Sequence, residues 1–231
     1  MRKVLRFAAW LAVGLAGVFL AVQLSFLARV WWWRDHNPGT TSFMDARLEQ
    51  MRAANPAAKI QYAWVSYEQM SESLKRAIVV AEDSKFVDHE GFDWDAIEKA
   101  REKNRRKGKV VAGGSTISQQ LAKNLFLSAS RTPWRKGEEA LITVMIEQIM
   151  TKRRILEIYL NVIEWGDGVF GAEAAARHYF GTSSAKLGAE NAAKLAAIVP
   201  NPRFYDHNRS TPFIARKTQT ILARMPAAEL P

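Results

Sequence analysis

The sequence contains no cysteine, and only four histidines are scattered along its 231 residues. The absence of cysteine excludes disulfide bonds, thiolate metal sites and a cysteine nucleophile. The histidines show no spacing typical of a structural metal site. Acidic residues are in the minority, since 23 Asp and Glu stand against 33 Lys and Arg, which gives a formal charge of +10. This excess predicts an anionic partner or surface, such as nucleic acid, phospholipid headgroups or a phosphorylated substrate.

Charge is also absent from one long run near the N-terminus, at residues 7–28. The run is long enough to span a bilayer and longer than the apolar region of a cleavable signal peptide. Arg2, Lys3 and Arg6 precede it, so the positive-inside rule favours a cytoplasmic N-terminus. The tryptophans at 31–33 suit the headgroup level of a membrane. We therefore expect a single-pass anchor in the cytoplasmic membrane.

The rest of the chain is expected to lie outside the cytoplasm, which excludes nucleic acid as its partner. With 48% hydrophobic and 24% charged residues, the chain has the composition of a folded protein. Its length suits one domain plus the anchor. We predict a cytoplasmic N-terminus at residues 1–6, a transmembrane helix at 7–28, a juxtamembrane connector with at most one short helix at 29–63, and one soluble domain at 64–231.

Helical signals dominate the soluble domain, and alternating strand patterns are almost absent. Capping patterns predict helix starts near Ser66 or Ser71, near Thr116 and near Thr132. The segment 138–163 lacks Gly and Pro and spaces its apolar residues three and four apart, which predicts one or two long buried helices. The fold class is therefore mainly α. Further helices are expected over residues 171–179, 184–199 and 212–225.

A basic run, KAREKNRRKGK, occupies residues 99–109. Its simplest interpretation is a solvated face. On a domain tethered at an anionic membrane it could also hold the domain down or collect an anionic substrate. The run alone does not separate these interpretations.

The first candidate for chemistry is Glu82, which follows an apolar helical segment. On that helix Glu82 stacks on Ile78 and Val79, so it projects from an apolar face. Partial loss of water raises the pKa of such a carboxyl and makes it a candidate for proton transfer near neutral pH. The alternative is a structural Glu that pairs with Lys85 or caps the backbone.

The second candidate is the segment 113–124, GGSTISQQLAKN. Its two glycines allow close approach of a ligand, and the helix start behind them presents free N–H groups that suit an anion. Lys123, two turns along the same helix from Thr116, favours a functional site. The alternative is a flexible loop followed by an ordinary helix cap. No Gly-Lys-Ser/Thr follows, so the segment is not a P-loop.

The third candidate is the segment 131–140, where basic residues stand at a helix start that electrostatically prefers acids. Such a cluster requires an anion or a carboxylate for compensation. Arg135 and Glu139 are four residues apart and share a helix face. Alternatively, they simply pair with each other at the surface, which contributes little. Periodicity does not choose between Glu138 and Glu139, since both precede apolar residues three and four positions on.

Four blocks carry a more specific signal, at residues 81–93, 113–124, 135–161 and 168–181. In order and spacing they resemble the glycosyltransferase domain of bacterial peptidoglycan polymerases, over roughly residues 65–203. With one anchor and no second domain, the chain is similar to the monofunctional members. The resemblance implies a mainly α, lysozyme-like domain with a smaller membrane-facing lobe.

The resemblance also implies an activity, the polymerisation of glycan strands from lipid II at the outer face of the inner membrane. Glu82 would be the general base on the 4-hydroxyl of the acceptor GlcNAc, and Glu139 the second carboxylate, near the departing pyrophosphate. Lys123, Arg131 and Arg135 match the basic positions that hold the phosphates. The positions that match the cleft-lining second block are Ser115, Thr116, Gln119, Gln120 and Asn124.

The implied partners are lipid II, the growing lipid-linked glycan, membrane lipids and other cell-wall synthesis or division proteins. An α-linked donor and a β-linked product require inversion by direct displacement with one base. Fixed cations stabilise the charge that develops on the leaving pyrophosphate. The sequence requires no cofactor, and it leaves a divalent cation, Mg²⁺ or Mn²⁺, open because it shows no dedicated ligand cluster.

Two alternatives remain at this stage. A membrane-anchored glycan hydrolase or lytic enzyme could use the same fold and a Glu, but it has no use for a pyrophosphate site. A non-catalytic envelope scaffold could use the basic surface for binding, but it needs neither Glu82 nor Glu139. The residues therefore favour transfer over both alternatives.

Overall fold

Helices make up most of the computed structural model, which describes residues 1–128 and 132–231. The expected mainly α class is confirmed. In the described residues the helices are α1 (Arg2–Trp33), α2 (Ser42–Ala54), α3 (Glu72–Glu82), α4 (Trp94–Lys107), α5 (Ile117–Phe126), α6 (Pro133–Ile149), α7 (Lys152–Val162), α8 (Ala172–Phe180), α9 (Ala189–Ile198), α10 (Pro202–His207) and α11 (Pro212–Arg224).

In the same described residues, three short strands form one small sheet beside the helices. They are β1 (Gln61–Tyr62), β2 (Glu164–Gly166) and β3 (Val169–Phe170), in the order β1-β3-β2. β3 pairs parallel with β1 and antiparallel with β2. The turn between β2 and β3 uses Gly168 at φ 71°, a left-handed conformation that favours glycine. A Cβ at this position would lie 2.7 Å from the Met51 side chain, so α2 packs closely on the turn.

α1 extends beyond the charge-free run at both ends, from Arg2 to Trp33. A helix of 32 residues is about 48 Å long at 1.5 Å per residue, whereas the hydrocarbon core of a bilayer is about 30 Å thick. By length and composition this helix can cross a membrane. Every side chain up to residue 22 is exposed, as a lipid-facing helix requires.

The last turns of α1 pack against the domain. Phe26 and Val30 are buried, and the Phe26 ring lies 5.0 Å from the ring of Phe126 at the end of α5. Arg154 on α7 donates from Nε to the carbonyl of Trp33 at 3.0 Å. These contacts fix the helix to the domain, so α1 is not a free tether.

The capping patterns correctly predict several helix starts. The side chains of Ser71, Thr116 and Thr132 cap α3, α5 and α6, respectively. Ser66 instead precedes a short 3-10 turn. The long segment without Gly or Pro divides into α6 and α7, and Thr151 caps the second of them.

Other elements differ from the sequence expectation. The basic run lies in α4, which Asp93 caps and which ends at Gly108 with φ 63°. The helix expected over 184–199 begins only at Ala189, after a 3-10 turn at Ser184–Lys186. The connector contains one helix, α2, whose 13 residues make it longer than the short helix expected there.

The apolar core lies where α3, α5, α7, α9 and α11 meet. Ile78 on α3, Leu121 on α5 and Tyr159 on α7 are completely buried, as is Trp165 beside them. Burying one such side chain contributes about 1.5–3 kcal/mol. α9 is rich in buried alanine, which lets it lie close to α3 and α11. The core therefore fixes the relative positions of the elements that carry the candidate residues.

Candidate active site

Glu82 is the last residue of α3, and its side chain is only 12% exposed. Gln120 on α5 donates from Nε2 to its Oε2 at 3.0 Å. Lys217 on α11 places Nζ 3.8 Å from its Oε1. Burial raises the pKa of Glu82, and the positive charge of Lys217 opposes that shift. Lys85 pairs with Asp95 instead, so the alternative that Glu82 pairs with Lys85 is wrong.

Asp83, the next residue, joins the first block to the second. Its carboxylate is buried and accepts a hydrogen bond from the backbone N–H of Ile117 at 3.0 Å, at the start of α5. Its Oδ1 also lies 3.0 Å from Nε2 of His89. An acid is favourable at a helix N-terminus. The Asp83 carboxylate thus sets the position of α5 relative to Glu82, a role that the sequence did not reveal.

The glycines before α5 have different environments. A Cβ on Gly114 would lie 2.8 Å from Cα of Ile97, whereas a Cβ on Gly113 would meet nothing within 4 Å. Close packing of the loop against α4 therefore requires glycine at position 114. Position 113 carries no such requirement.

Thr116 and Gln119 form a reciprocal capping box at the start of α5. The Thr116 side chain accepts from the Gln119 N–H at 3.2 Å, and Gln119 Oε1 accepts from the Thr116 N–H at 3.1 Å. The Thr116 hydroxyl also donates to the carbonyl of Gly91 at 2.7 Å. Both side chains are buried. The alternative that this segment contains an ordinary helix cap therefore accounts for the hydrogen bonds of Thr116 and Gln119.

The remaining candidates on α5 face the cleft. Gln120, which touches Glu82, accepts through Oε1 from the Tyr159 hydroxyl at 2.9 Å. Asn124 donates to the Gln120 carbonyl at 2.7 Å. Burial lowers the pKa of Lys123, while the charges of Glu139 and Glu82 act in the opposite direction. Lys123 therefore lies in the fields of both candidate carboxylates.

Glu139 is 3% exposed and lies between two cations of its own helix. Arg135 Nη1 is 2.9 Å from Glu139 Oε2, and Lys136 Nζ contacts Oε1. Lys136 also donates to the Ser115 hydroxyl at 3.3 Å, which brings the loop before α5 to α6. Periodicity left open whether Glu138 or Glu139 faces the interior. In the structure Glu139 is buried, whereas Glu138 is only half-buried.

The pairing of Arg135 with Glu139 is real, but it is not a surface pair. The Arg135 side chain is only 14% exposed. Among the described residues, its buried Nε has no hydrogen-bond partner. Arg131, the third predicted basic residue, lies outside the described residues.

A cavity of about 360 Å³ opens beside these residues. Lys123, Arg135 and Arg203 give it positive charge, and Glu164 gives it one negative charge. Arg203 Nε lies 3.2 Å from Glu164 Oε2. The lining residues are Phe43, Gln120, Lys123, Asn124, Arg135, Tyr159, Ile163, Glu164, Val199, Pro200, Asn201, Pro202 and Arg203.

A second, smaller cavity of about 170 Å³ has Glu82 in its wall. Its lining includes Glu82, Asp93, Gly113 and Ser115. Residues 1–128 and 132–231 contain no group of three or more His, Asp or Glu side chains arranged to hold a metal ion.

Sequence reasoning missed three charged residues of this region: Lys217, Glu164 and Arg203. None lies in a pattern that signals its contact, because each meets its partner across more than thirty residues of chain. Lys217 lies in an amphipathic helix, whose pattern predicts an ordinary solvent-exposed lysine at this position.

Comparison with known proteins identifies the family. A family model described as Transglycosylase matches residues 49–226. The biosynthetic peptidoglycan transglycosylase of Chromobacterium violaceum is 60% identical over 217 residues, which cover 94% of this chain and 95% of that protein. The one from Dechloromonas aromatica is 61% identical over 221 residues, with 96% of each chain covered. The chain therefore belongs to the transglycosylase family and is a peptidoglycan glycosyltransferase.

Proposed function

We propose that the protein transfers the growing lipid-pyrophosphate-linked glycan to the 4-hydroxyl of lipid II GlcNAc, with Glu82 as the general base. One observation carries this proposal. The largely buried Glu82 carboxylate contacts Gln120, and Gln120 also lines a cavity whose walls carry the cations Lys123 and Arg135. A proton acceptor and a site for an anionic leaving group are thereby neighbours.

Glu82 suits the role of the base. Burial raises its pKa, so the carboxylate binds a proton more firmly than an exposed Glu does. The Gln120 amide holds Oε2, which leaves Oε1 for the acceptor hydroxyl. The proton passes from the 4-hydroxyl to Glu82 while the hydroxyl oxygen bonds to C1 of the donor. The bond from C1 to the pyrophosphate oxygen breaks, and the configuration at C1 inverts.

The cations suit the leaving group. The departing pyrophosphate gains negative charge as its bond to C1 breaks, and fixed positive groups stabilise that charge. Lys123 and Arg135 line the cavity, and Arg131 joins them by family resemblance. Glu139 holds Arg135 and Lys136, so we assign it the positioning of these cations.

The other predicted residues of the second block divide into two groups. Gln120 and Asn124 line the cavity and are proposed to contact substrate. Ser115 is exposed and receives a hydrogen bond from Lys136, so it is proposed to contact substrate from the opposite side. Thr116 and Gln119 are proposed to shape the cleft, because their polar atoms are used in the helix cap.

We also propose that residues 1–6 are cytoplasmic, that α1 crosses the inner membrane and that the domain at 64–231 is periplasmic. The basic residues before the apolar run support this orientation. The exposed Trp134 ring lies 6.1 Å from Phe19, in the apolar part of α1, which supports membrane lipids as neighbours of the cleft. Other cell-wall synthesis or division proteins stay proposed partners.

The test is to incubate the detergent-solubilised full chain with labelled lipid II and to separate the products on a gel. Glu82→Gln is the test variant, and Glu138→Gln is the matched control, since Glu138 makes no ion pair within the described residues. We expect long glycans that lysozyme digests, unchanged by Glu138→Gln and absent with Glu82→Gln. Intact lipid II together with cleavage of preformed glycan would instead establish a hydrolase.

A further inference from the structure

Among the described residues, Lys217 is the one cation whose ion pair with the proposed base lies within 4 Å, and neither the fold nor the leaving-group site explains it. We propose that Lys217 is a positioning residue that keeps Glu82 ionised and thereby sets the acid limit of catalysis. This inference rests on the proposed role of Glu82 as the general base.

The geometry places Lys217 specifically at Glu82. Along α11, Ile214, Thr218 and Ile221 turn into the core. Lys217 points instead to the end of α3, where Nζ lies 3.8 Å from Glu82 Oε1. Its side chain is only 21% exposed, so solvent screens this charge less than it would at the surface. Within the described residues, Lys217 has no other ion-pair partner.

Lys217 is the strongest group that favours the ionised form of Glu82. Burial raises the pKa of Glu82, and the opposing influences are, in order, Lys217, the Gln120 hydrogen bond and the charge of Lys123. Asp83 adds a smaller upward shift to the same pKa. Within residues 1–128 and 132–231, the Tyr159 hydroxyl on α7 also interacts with Glu82, and Asp93 lines the same small cavity.

The direction of the effect follows from the charge balance. The base works only when it is deprotonated, so kcat decreases when the pH is lower than the pKa of Glu82. Loss of Lys217 raises that pKa and moves the acid limb of the kcat profile to higher pH. An opposite charge within about 4–6 Å lowers a carboxyl pKa by about 1–3 units. We therefore expect a shift of at least about one pH unit, which is roughly a tenfold loss of kcat on the acid side.

The experiment measures initial rates of lipid II polymerisation by the full chain in detergent, from acid to neutral pH. The test variants are Lys217→Met and Lys217→Gln, and Lys217→Arg is the conservative variant. Lys194→Met on α9 is the matched control, because it removes the same charge from an exposed residue that pairs with Glu190. Thermal melting of each variant reports folding.

The proposal requires that Lys217→Met and Lys217→Gln move the acid limb of the kcat profile to higher pH. It also requires that Lys217→Arg and Lys194→Met keep the wild-type limb, with similar KM values throughout. A uniform loss of kcat at every pH, with the limb in place, would overturn it and make Lys217 merely structural. Glu82→Gln separates the two levels of inference. Activity of Glu82→Gln would refute the role of Glu82 as the base. If Glu82→Gln is inactive but Lys217→Met keeps the wild-type acid limb, only the inference about Lys217 is refuted.

Discussion

Glu139→Gln tests the arrangement around the leaving-group cations most directly. The substitution keeps the shape of the side chain and removes the negative charge between Arg135 and Lys136. Removing one partner of a buried pair costs about 3–5 kcal/mol, since the remaining charge stays buried. Arg135 is 14% exposed and stays buried, but Lys136 is 49% exposed and can turn to solvent. We therefore expect a smaller loss of stability, about 2–3 kcal/mol, which is below that range because Lys136 is screened by solvent.

Thermal melting in detergent measures this loss. For a domain of this size each kcal/mol lowers the melting temperature by about 2–4 °C, so Glu139→Gln should melt roughly 4–12 °C lower. Glu138→Gln is the control, since it makes the same change one residue away on the half-buried side of α6. Below the melting temperature, Glu139→Gln should also reduce kcat by at least about tenfold, because Arg135 no longer has a fixed position.

Equal melting temperatures for Glu139→Gln and Glu138→Gln would refute the reasoning, since the pair would then contribute nothing measurable. A lower melting temperature with wild-type kcat would support the contribution of the ion pair to stability but refute its proposed role in catalysis. Both measurements are therefore needed on the same preparations.

Two further predictions follow from single contacts. Tyr159→Phe removes the hydroxyl that donates to Gln120 at 2.9 Å, so we expect about 1 kcal/mol of lost stability and a lower kcat with unchanged KM; an unchanged kcat would contradict the orienting role of Gln120. Gly114→Ala forces a Cβ to within 2.8 Å of the α4 backbone and should cost about 1–3 kcal/mol, whereas Gly113→Ala meets nothing within 4 Å and should melt like the wild type.

Local patterns predicted what depends on neighbours in the chain. The burial of Glu82 followed from its spacing to Ile78 and Val79, because these positions share one helix face. The starts of α5 and α6 followed from Thr116 and Thr132, because a cap is a contact within one turn. Such contacts are visible in the sequence since both partners lie within four residues.

The contacts that complete the site join distant parts of the chain. Lys217 meets Glu82, and Arg203 meets Glu164, through the packing of helices that no local pattern specifies. α4 was also missed, because Ala100 is its only buried side chain in the described part of the chain and its apolar face is correspondingly weak. Its caps, Asp93 and Gly108, were nevertheless present in the sequence.

The two carboxylates of the site have opposite surroundings, and this difference supports the two roles proposed for them, a base at Glu82 and an anchor of the leaving-group cations at Glu139. The Glu82 side chain is only 12% exposed, its Oε2 accepts one hydrogen bond from the Gln120 amide, and its Oε1 has one lysine, Lys217, at 3.8 Å. Glu139 has both oxygens engaged by Arg135 and Lys136, so it holds these cations in place. Lys123 stands in the field of both and links the two halves. Exchanging the surroundings would exchange the roles, since the two side chains are chemically identical.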